Sequence, residues 1–323
     1  MPQARLAMRS HPETAAAIKA AGFDVISFAS NHCMDWGTDG LLDTIAALQA
    51  SGLQSIGAGA NIAAARTPAY FEKNGTRIGI LAYSSILPQN YWATDTQAGC
   101  APMRAWTLQE QIEHDQPGTP SRTHSFAHRE DLAALVADVN RVKEDADVVV
   151  LSMHWGIHFV PIVIAHYQRE IAHAAIDAGV DIVIGHHPHL LKGVEIYKGK
   201  PVFYSLGNFA IDPPTAFQKG LTSTKSHKEI AALNPHWQVN GEHIRLPDSD
   251  IAIAVSCTIA DKQIVATSIL PLLIDADSRP RWLSASDSEF QEVAARLHAC
   301  NSGEGLETVV VQQGEQLLAT IAN

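Results

Sequence analysis

Histidine recurs in this chain where apolar runs end. Three stretches share the pattern: Phe23–Gly37 (FDVISFASNHCMDWG), Asp147–Gly156 (DVVVLSMHWG) and Asp181–His189 (DIVIGHHPH). Each places a polar loop after a strand-like segment, and in open α/β sheets ligands bind at those carboxyl ends. Asn31, His32, His154, His186, His187 and His189 are therefore expected to converge, although they span about half the sequence. Neutral imidazoles with an amide oxygen suit Zn²⁺ or Mn²⁺, so metal-assisted chemistry is the leading expectation.

Within Gly185-His186-His187-Pro188-His189, alternate histidines on a proline-restricted turn can face neighbouring metals. In Asn31-His32, the amide oxygen is a candidate ligand and the imidazole a candidate acid for a leaving oxygen. Asp35 either orients His32 or caps the helix that follows, and capping is the default. His154 ends VVVLSM, with His158 four residues on. Asn208, in Gly207-Asn208-Phe209, is a candidate pocket residue. His166 and His173 share a helix face, where a packed or solvated role is expected. Lys192 and Lys198 could attract an anion, with a solvated surface as the default.

The elements that must position these groups alternate. Helices are expected at Ala15–Ala21, Gly40–Ser51, Arg129–Lys143, Ala165–Ala178 and Ser286–Ala299. Buried strands are expected at Phe23–Ala29, Arg77–Tyr83, Val148–Ser152 and Ile182–Ile184, which indicates a sheet covered on both faces. Val194–Tyr197 and Val202–Ser205 suggest one hairpin, and Ile251–Thr258 with Gln263–Leu272 another. Pro88–His128 shows no clear period, and long irregular stretches of this kind are usually lids or inserts.

The chain has 323 residues, 46% of them hydrophobic and 18% charged, enough for a substantial core. Lys plus Arg is 23 against 34 for Asp plus Glu, a formal charge of −11. That argues against nucleic acid and anionic membrane as partners, since both require basic surface. The four cysteines show no paired spacing, and no apolar run approaches the ~20 residues of a membrane helix. The start lacks the apolar core of a signal peptide. A cytoplasmic location is expected for the chain as written, and an envelope or extracellular one if an export segment precedes it.

Together NHCMDWGTDGLLDTIAALQASGLQSIGAG, AGCAP (Ala98–Pro102), HWG and GHHPHLLKGVEIYKGKPVFYSLGNF resemble the CapA family of poly-γ-glutamate capsule biosynthesis proteins. That family looks like a branch of the calcineurin-like metallophosphoesterases. The resemblance covers roughly residues 5–210 and, more loosely, ILPLLID at 269–275. It implies an N-terminally truncated four-layer α/β/β/α sandwich. The core would span 1–275, with inserts near 88–128 and 212–249 and a helical extension at 276–323.

By position, the resemblance makes Asn31, His154 and His187 ligands of one divalent metal (Mn, Zn or Fe) and His189 a ligand of a second. His32 would contact substrate, and His186 stands at a position the family varies; from the residues themselves, His186, His158 and Asn208 are expected to line the substrate site. Two departures stand out. The family's Gly-Asp and Asn-Leu-Glu segments, which supply carboxylates, are missing, so one ion is better provided for than two. Ile157-His158 also replaces a common Glu after HWG. The resemblance implies a polyglutamate-like or small anionic substrate and capsule-synthesis partner proteins. The activity is either hydrolysis of phosphoester or γ-linked amide bonds, or polymer handling without catalysis.

Overall fold

The computed structural model describes residues 7–113, 115–116, 118–211 and 249–321. The expected insert at 212–249 lies outside the described residues except for Ser249. At the amino end, α1 (Thr14–Ala20) leads into β1 (Val25–Ser27), then α2 (Gly37–Ala50) into β2 (Gln54–Ile56). Gly52, at φ +78°, ends α2 in a left-handed conformation that favours glycine. β1 and β2 form a parallel pair, Val25 beside Gln54 and Ser27 beside Ile56. Among the described residues they join no other strand, and β1 is shorter than expected and only half-buried. A strand covered on one edge alone has less to bury against.

The next elements are β3 (Ala58–Gly59), α3 (Ile62–Ala65), β4 (Ala69–Lys73), β5 (Thr76–Ser84) and β6 (Gly99–Cys100). Then come β7 (Ala105–Gln111), β8 (Ser121–Ala127), α4 (Arg129–Asp145), β9 (Val148–His154) and α5 (His166–Ala178). They are followed by β10 (Ile182–His186), β11 (Val194–Tyr197) and β12 (Lys200–Phe203). The main sheet runs β11-β12-β10-β9-β5-β4, with parallel pairing from β12 to β5 and antiparallel edges.

Alternation along the strands serves two cores. Val149, Leu151 and Val183 face α4 and α5, meeting Leu135, Val139, Ile171 and Ala175. Ile182 and Phe203 face the opposite way, toward a second sheet. Each fully buried aliphatic or aromatic side chain contributes about 1.5–3 kcal/mol, so neither face can be left uncovered.

That second sheet contains β13 (Ile251–Ala260), β14 (Gln263–Ile274), β15 (Pro280–Trp282), β16 (Thr308–Gln313) and β17 (Gln316–Ile321), in the order β13-β14-β17-β16 with β15 on β14. Helix α6 (Ser288–Gly303) buries Phe290, Val293 and Leu297 in the same core. The chain is thus mixed α/β, as its alternation suggests, with the two packed sheets that the family resemblance implies.

Two regional expectations need correcting. Residues 276–323 hold α6 but also three strands, because TVVVQQ and QLLATI alternate around Gly314-Glu315 and close as a hairpin. Pro88–His128, which lacks an evident period, contains the β7–β8 hairpin. Its inward face carries small side chains such as Ser125 and Ala127, and Trp106 and Phe126 point outward, so the usual apolar-in signal is inverted. Among the described residues no helix is long and apolar enough to cross a membrane.

Candidate functional site

Strand register delivers the first two imidazoles. In the parallel pairing of β9 and β10, Gly185 lies beside Met153 and His186 beside His154. Ser84 ends β5 alongside His154, so three strands run out together. Gly185 is obligatory here: a Cβ would sit 2.3 Å from the Tyr204 carbonyl oxygen and 2.4 Å from Trp155 Nε1. Trp155 fills that space and donates to the Tyr204 carbonyl at 3.0 Å, fixing the turn after His154.

The β10 loop then doubles back with His187 at φ +102° and His189 at φ +59°. A β-branched or bulky side chain at positive φ is strained, and such strain gathers at functional sites. The His187 ring lies 4.7 Å from that of His154 and 4.8 Å from that of His158. Among the described residues its Nδ1 is buried without a hydrogen-bond partner. Asn31, in the loop after β1, places Oδ1 2.7 Å from His154 Nε2, a contact across 123 residues.

These contacts form a chain. Ser152 Oγ is 3.1 Å from His186 Nε2, His186 Nδ1 is 2.8 Å from His154 Nδ1, and His154 Nε2 meets Asn31. Proton direction is set by tautomer, and two directions satisfy the chain. In one, Ser152 donates to His186, His186 to His154, and His154 to the Asn31 carbonyl oxygen. In the other every proton reverses, and His154 Nε2 and Asn31 Oδ1 confront each other with lone pairs. A cation between them relieves that repulsion, as does an Asn31 amide turned to present Nδ2–H to His154.

Burial lowers His154 well below its ordinary range, lowers His186 to about 4 and His187 to about 2, and the neighbouring imidazoles push the same way. The cluster is therefore neutral at physiological pH, which is the ligand form of histidine. His189 is lowered by burial too, partly offset by Asn208, whose Oδ1 accepts from its Nδ1 at 2.7 Å. Asn208 in turn donates to the Ser249 carbonyl at 2.9 Å. It acts on His189 as a brace and presents no free amide oxygen. His158 stands at the exposed rim, stacked on Phe159 and His187.

His32 is held from behind. Its Nδ1 lies 2.7 Å from Asp35 Oδ2, and Asp35 also accepts from Tyr91 Oη at 3.1 Å and the Met8 amide at 2.8 Å. Asp35 is 1% exposed, and no side chain caps α2. The capping expectation for Asp35 is thus replaced by orientation of His32, because the carboxylate turns inward before the helix begins. The spacing of three residues was visible in sequence; the Tyr91 partner was not. Burial, together with Asp35, raises the Tyr91 hydroxyl, so it remains a donor.

Lys192 also departs from expectation. It is 1% exposed, and Nζ donates to the Val163 carbonyl at 2.9 Å and to that of Val160. It pins the loop that carries His158, and burial lowers it to about 8. Lys198 is exposed and paired with Asp177. His173 packs on Tyr197 and bonds Glu195, as the packed alternative supposed.

Among the described residues, no three His, Cys, Asp or Glu side chains form a group that could hold a metal ion as placed. The donor chemistry nevertheless fits one ion, given neutral imidazoles, the unpartnered His187 Nδ1 and the reversible chain ending at Asn31. Ligands about 2.1 Å from a metal lie about 3.0–3.4 Å apart, so Asn31 and His154 need to separate by only a few tenths of an ångström. A second ion is not fitted. Among the described residues the one carboxylate bonded to a candidate side chain is Asp35, and it faces the back of His32.

Comparison with known proteins places this geometry in context. The sequence model of the family described as "Bacterial capsule synthesis protein PGA_cap" matches residues 1–213. The capsule biosynthesis protein CapA of Bacillus anthracis is 33% identical over 234 residues, covering 72% of this chain and 48% of that protein. The PGA biosynthesis protein CapA of Bacillus subtilis is 29% identical over 237 residues, covering 72% and 52%. The chain thus spans about half the length of the curated relatives it matches. Among solved structures, the calcineurin-like phosphoesterase YfkN of Bacillus subtilis aligns at 15% identity and TM-score 0.37, covering 91% of this chain and 74% of that one. A Thermus thermophilus protein aligns at 13% and 0.40, covering 79% and 78%.

Proposed function

This chain belongs to the bacterial capsule synthesis protein family PGA_cap, and from that premise we propose that it acts in making or processing poly-γ-glutamate, as a metal-dependent hydrolase of phosphoester or γ-linked amide bonds. The observation that carries the reading is the contact of Asn31 with His154, beside the unpartnered imidazole of His187. Asn31, His154 and His187 would hold one divalent ion (Zn, Mn or Fe), with His189 beside it. When bound, such an ion polarises a substrate oxygen and acidifies a water.

The chain's own groups do the rest. Asp35 holds the His32 imidazole so that Nε2 faces the site, where it can give a proton to a leaving oxygen or nitrogen. The His186–Ser152 pair takes up the proton shift that frees His154 Nε2. His158 and Phe159 narrow the entrance and limit water. His189, whose Nδ1 is steadied by Asn208, keeps its Nε2 lone pair for an ion or for a donor group of the substrate. Partner proteins of the capsule machinery and a place at the cell envelope follow from this role.

A second reading, polymer handling without catalysis, is favoured by one observation. Both His154 nitrogens already have protein partners, and among the described residues no carboxylate completes a metal pair. Metal analysis after loading with Zn²⁺ or Mn²⁺ separates the two. The hydrolase reading expects about one ion per chain, lost in His187→Ala, together with metal-dependent cleavage of a phosphodiester or γ-glutamyl substrate. Stable folding with no retained ion and no cleavage leaves the binding role.

A further inference from the structure

At the end of the main sheet opposite the histidines, four of the chain's ten lysines meet in one open cleft of ≈ 680 Å³. Asp147 and Asp181 precede β9 and β10, the strands that His154 and His186 terminate. At about 3.3 Å per residue the two ends stand about 20 Å apart. Lys143 comes from the end of α4, Lys198 and Lys200 from the β11–β12 turn, and Lys262 from the β13–β14 turn. Three separate parts of the fold therefore supply the charge.

Each lysine has a carboxylate partner. Lys143 and Lys200 bond Asp181 at 3.4 and 2.7 Å, Lys198 bonds Asp177 at 2.6 Å, and Lys262 bonds Asp147 at 3.2 Å. Four ammonium groups thus face three carboxylates in a chain whose formal charge is −11. Lys198 and Lys262 are more than half exposed, and an ammonium group has three donors, so capacity remains on the cleft side. Beside the cleft, sharing Asp181 and Lys200, lies a trough of ≈ 350 Å³ walled by Pro201, Ile264 and Leu318.

We propose that this cleft is a second binding site, distinct from the histidine cluster, for an extended polycarboxylate chain. A single carboxylate gains little there. It only exchanges places with Asp177 or Asp147, and the carboxyl ends of α4 and α5 add negative partial charge. A polymer differs, because its second and third carboxylates arrive at high effective concentration once the first is held. Methylene segments between its charges suit the adjoining apolar trough. The choice of poly-γ-glutamate as that polymer rests on the proposed function; the polyvalent chemistry of the site does not.

The experiment is fluorescence anisotropy with end-labelled poly-γ-glutamate and full-length chain at low and high salt. Binding that weakens with salt is expected, with loss of about tenfold or more in Lys198→Glu/Lys262→Glu and retention in Lys198→Arg/Lys262→Arg. Free glutamate should not compete. Equal affinity of the Glu variant and wild type overturns the site. Competition by free glutamate overturns its polyvalent character, and tighter binding of inorganic polyphosphate overturns the polycarboxylate assignment. Failure of the hydrolase reading would appear as absent metal and cleavage with cleft binding intact, so the two outcomes are distinguishable.

Discussion

Acidification should destabilise this protein before its carboxylates titrate, and the histidine cluster sets the size of the effect. Burial pushes His186 down to about 4 and His187 to about 2, from a usual 6.5. The folded form therefore refuses protons that the unfolded chain accepts, and stability present above pH 6.5 is lost as pH falls toward 4. Between pH 6.5 and 5.5 each imidazole costs about 1 kcal/mol, so the pair costs about 2 kcal/mol. His154 and His189 are lowered as well and add to the same slope. Against a total of about 5–15 kcal/mol, that loss is large.

Urea unfolding of metal-stripped protein, followed by tryptophan fluorescence at pH 7.5, 6.5 and 5.5, measures it. His186→Gln should reduce the loss by about 1 kcal/mol. A wild-type free energy equal within about 0.5 kcal/mol at pH 6.5 and 5.5 would refute the claim that these rings are buried and neutral.

Lys192 predicts the opposite end of the pH range. The unfolded ammonium keeps its proton to about 10.5 and the folded one to about 8, so stability should rise across that window by up to about 3 kcal/mol, and the rise should vanish in Lys192→Met on urea unfolding. Because His187 sits at φ +102°, His187→Gly should be more stable than His187→Ala by about 1 kcal/mol in thermal melts, with metal uptake lost in both. Asp35→Asn should cut cleavage about 10–100-fold while leaving metal content unchanged, since Asp35 touches His32 and no candidate ligand.

Much of the fold was legible because it is local. The helices over Arg129–Asp145 and His166–Ala178 and the strands that end at His154 and His186 announce themselves through period and burial. The β11–β12 and β13–β14 hairpins sit where turn residues place them. The β7–β8 hairpin was not legible, because it carries its aromatic side chains outward and its small ones inward. The β16–β17 hairpin gives a plain alternating signal around Gly314-Glu315, but it follows a helix in a region expected to be helical.

The site divides in the same way. By itself the sequence determined which side chains end strands, and in parallel strands that is enough to gather His154, His186 and His187 at one edge. It also determined the family, through motifs whose order survives in one chain. Only the tertiary structure decided that Asn31 reaches His154, that Asp35 turns from helix capping to His32, that Tyr91 joins it, and that Lys192 is buried under the His158 loop. These are contacts between residues 56, 123 or 29 positions apart, or choices between two partners for one carboxylate. Local propensity is blind to both, because the free energy that settles them comes from burial and hydrogen bonding across the packed elements.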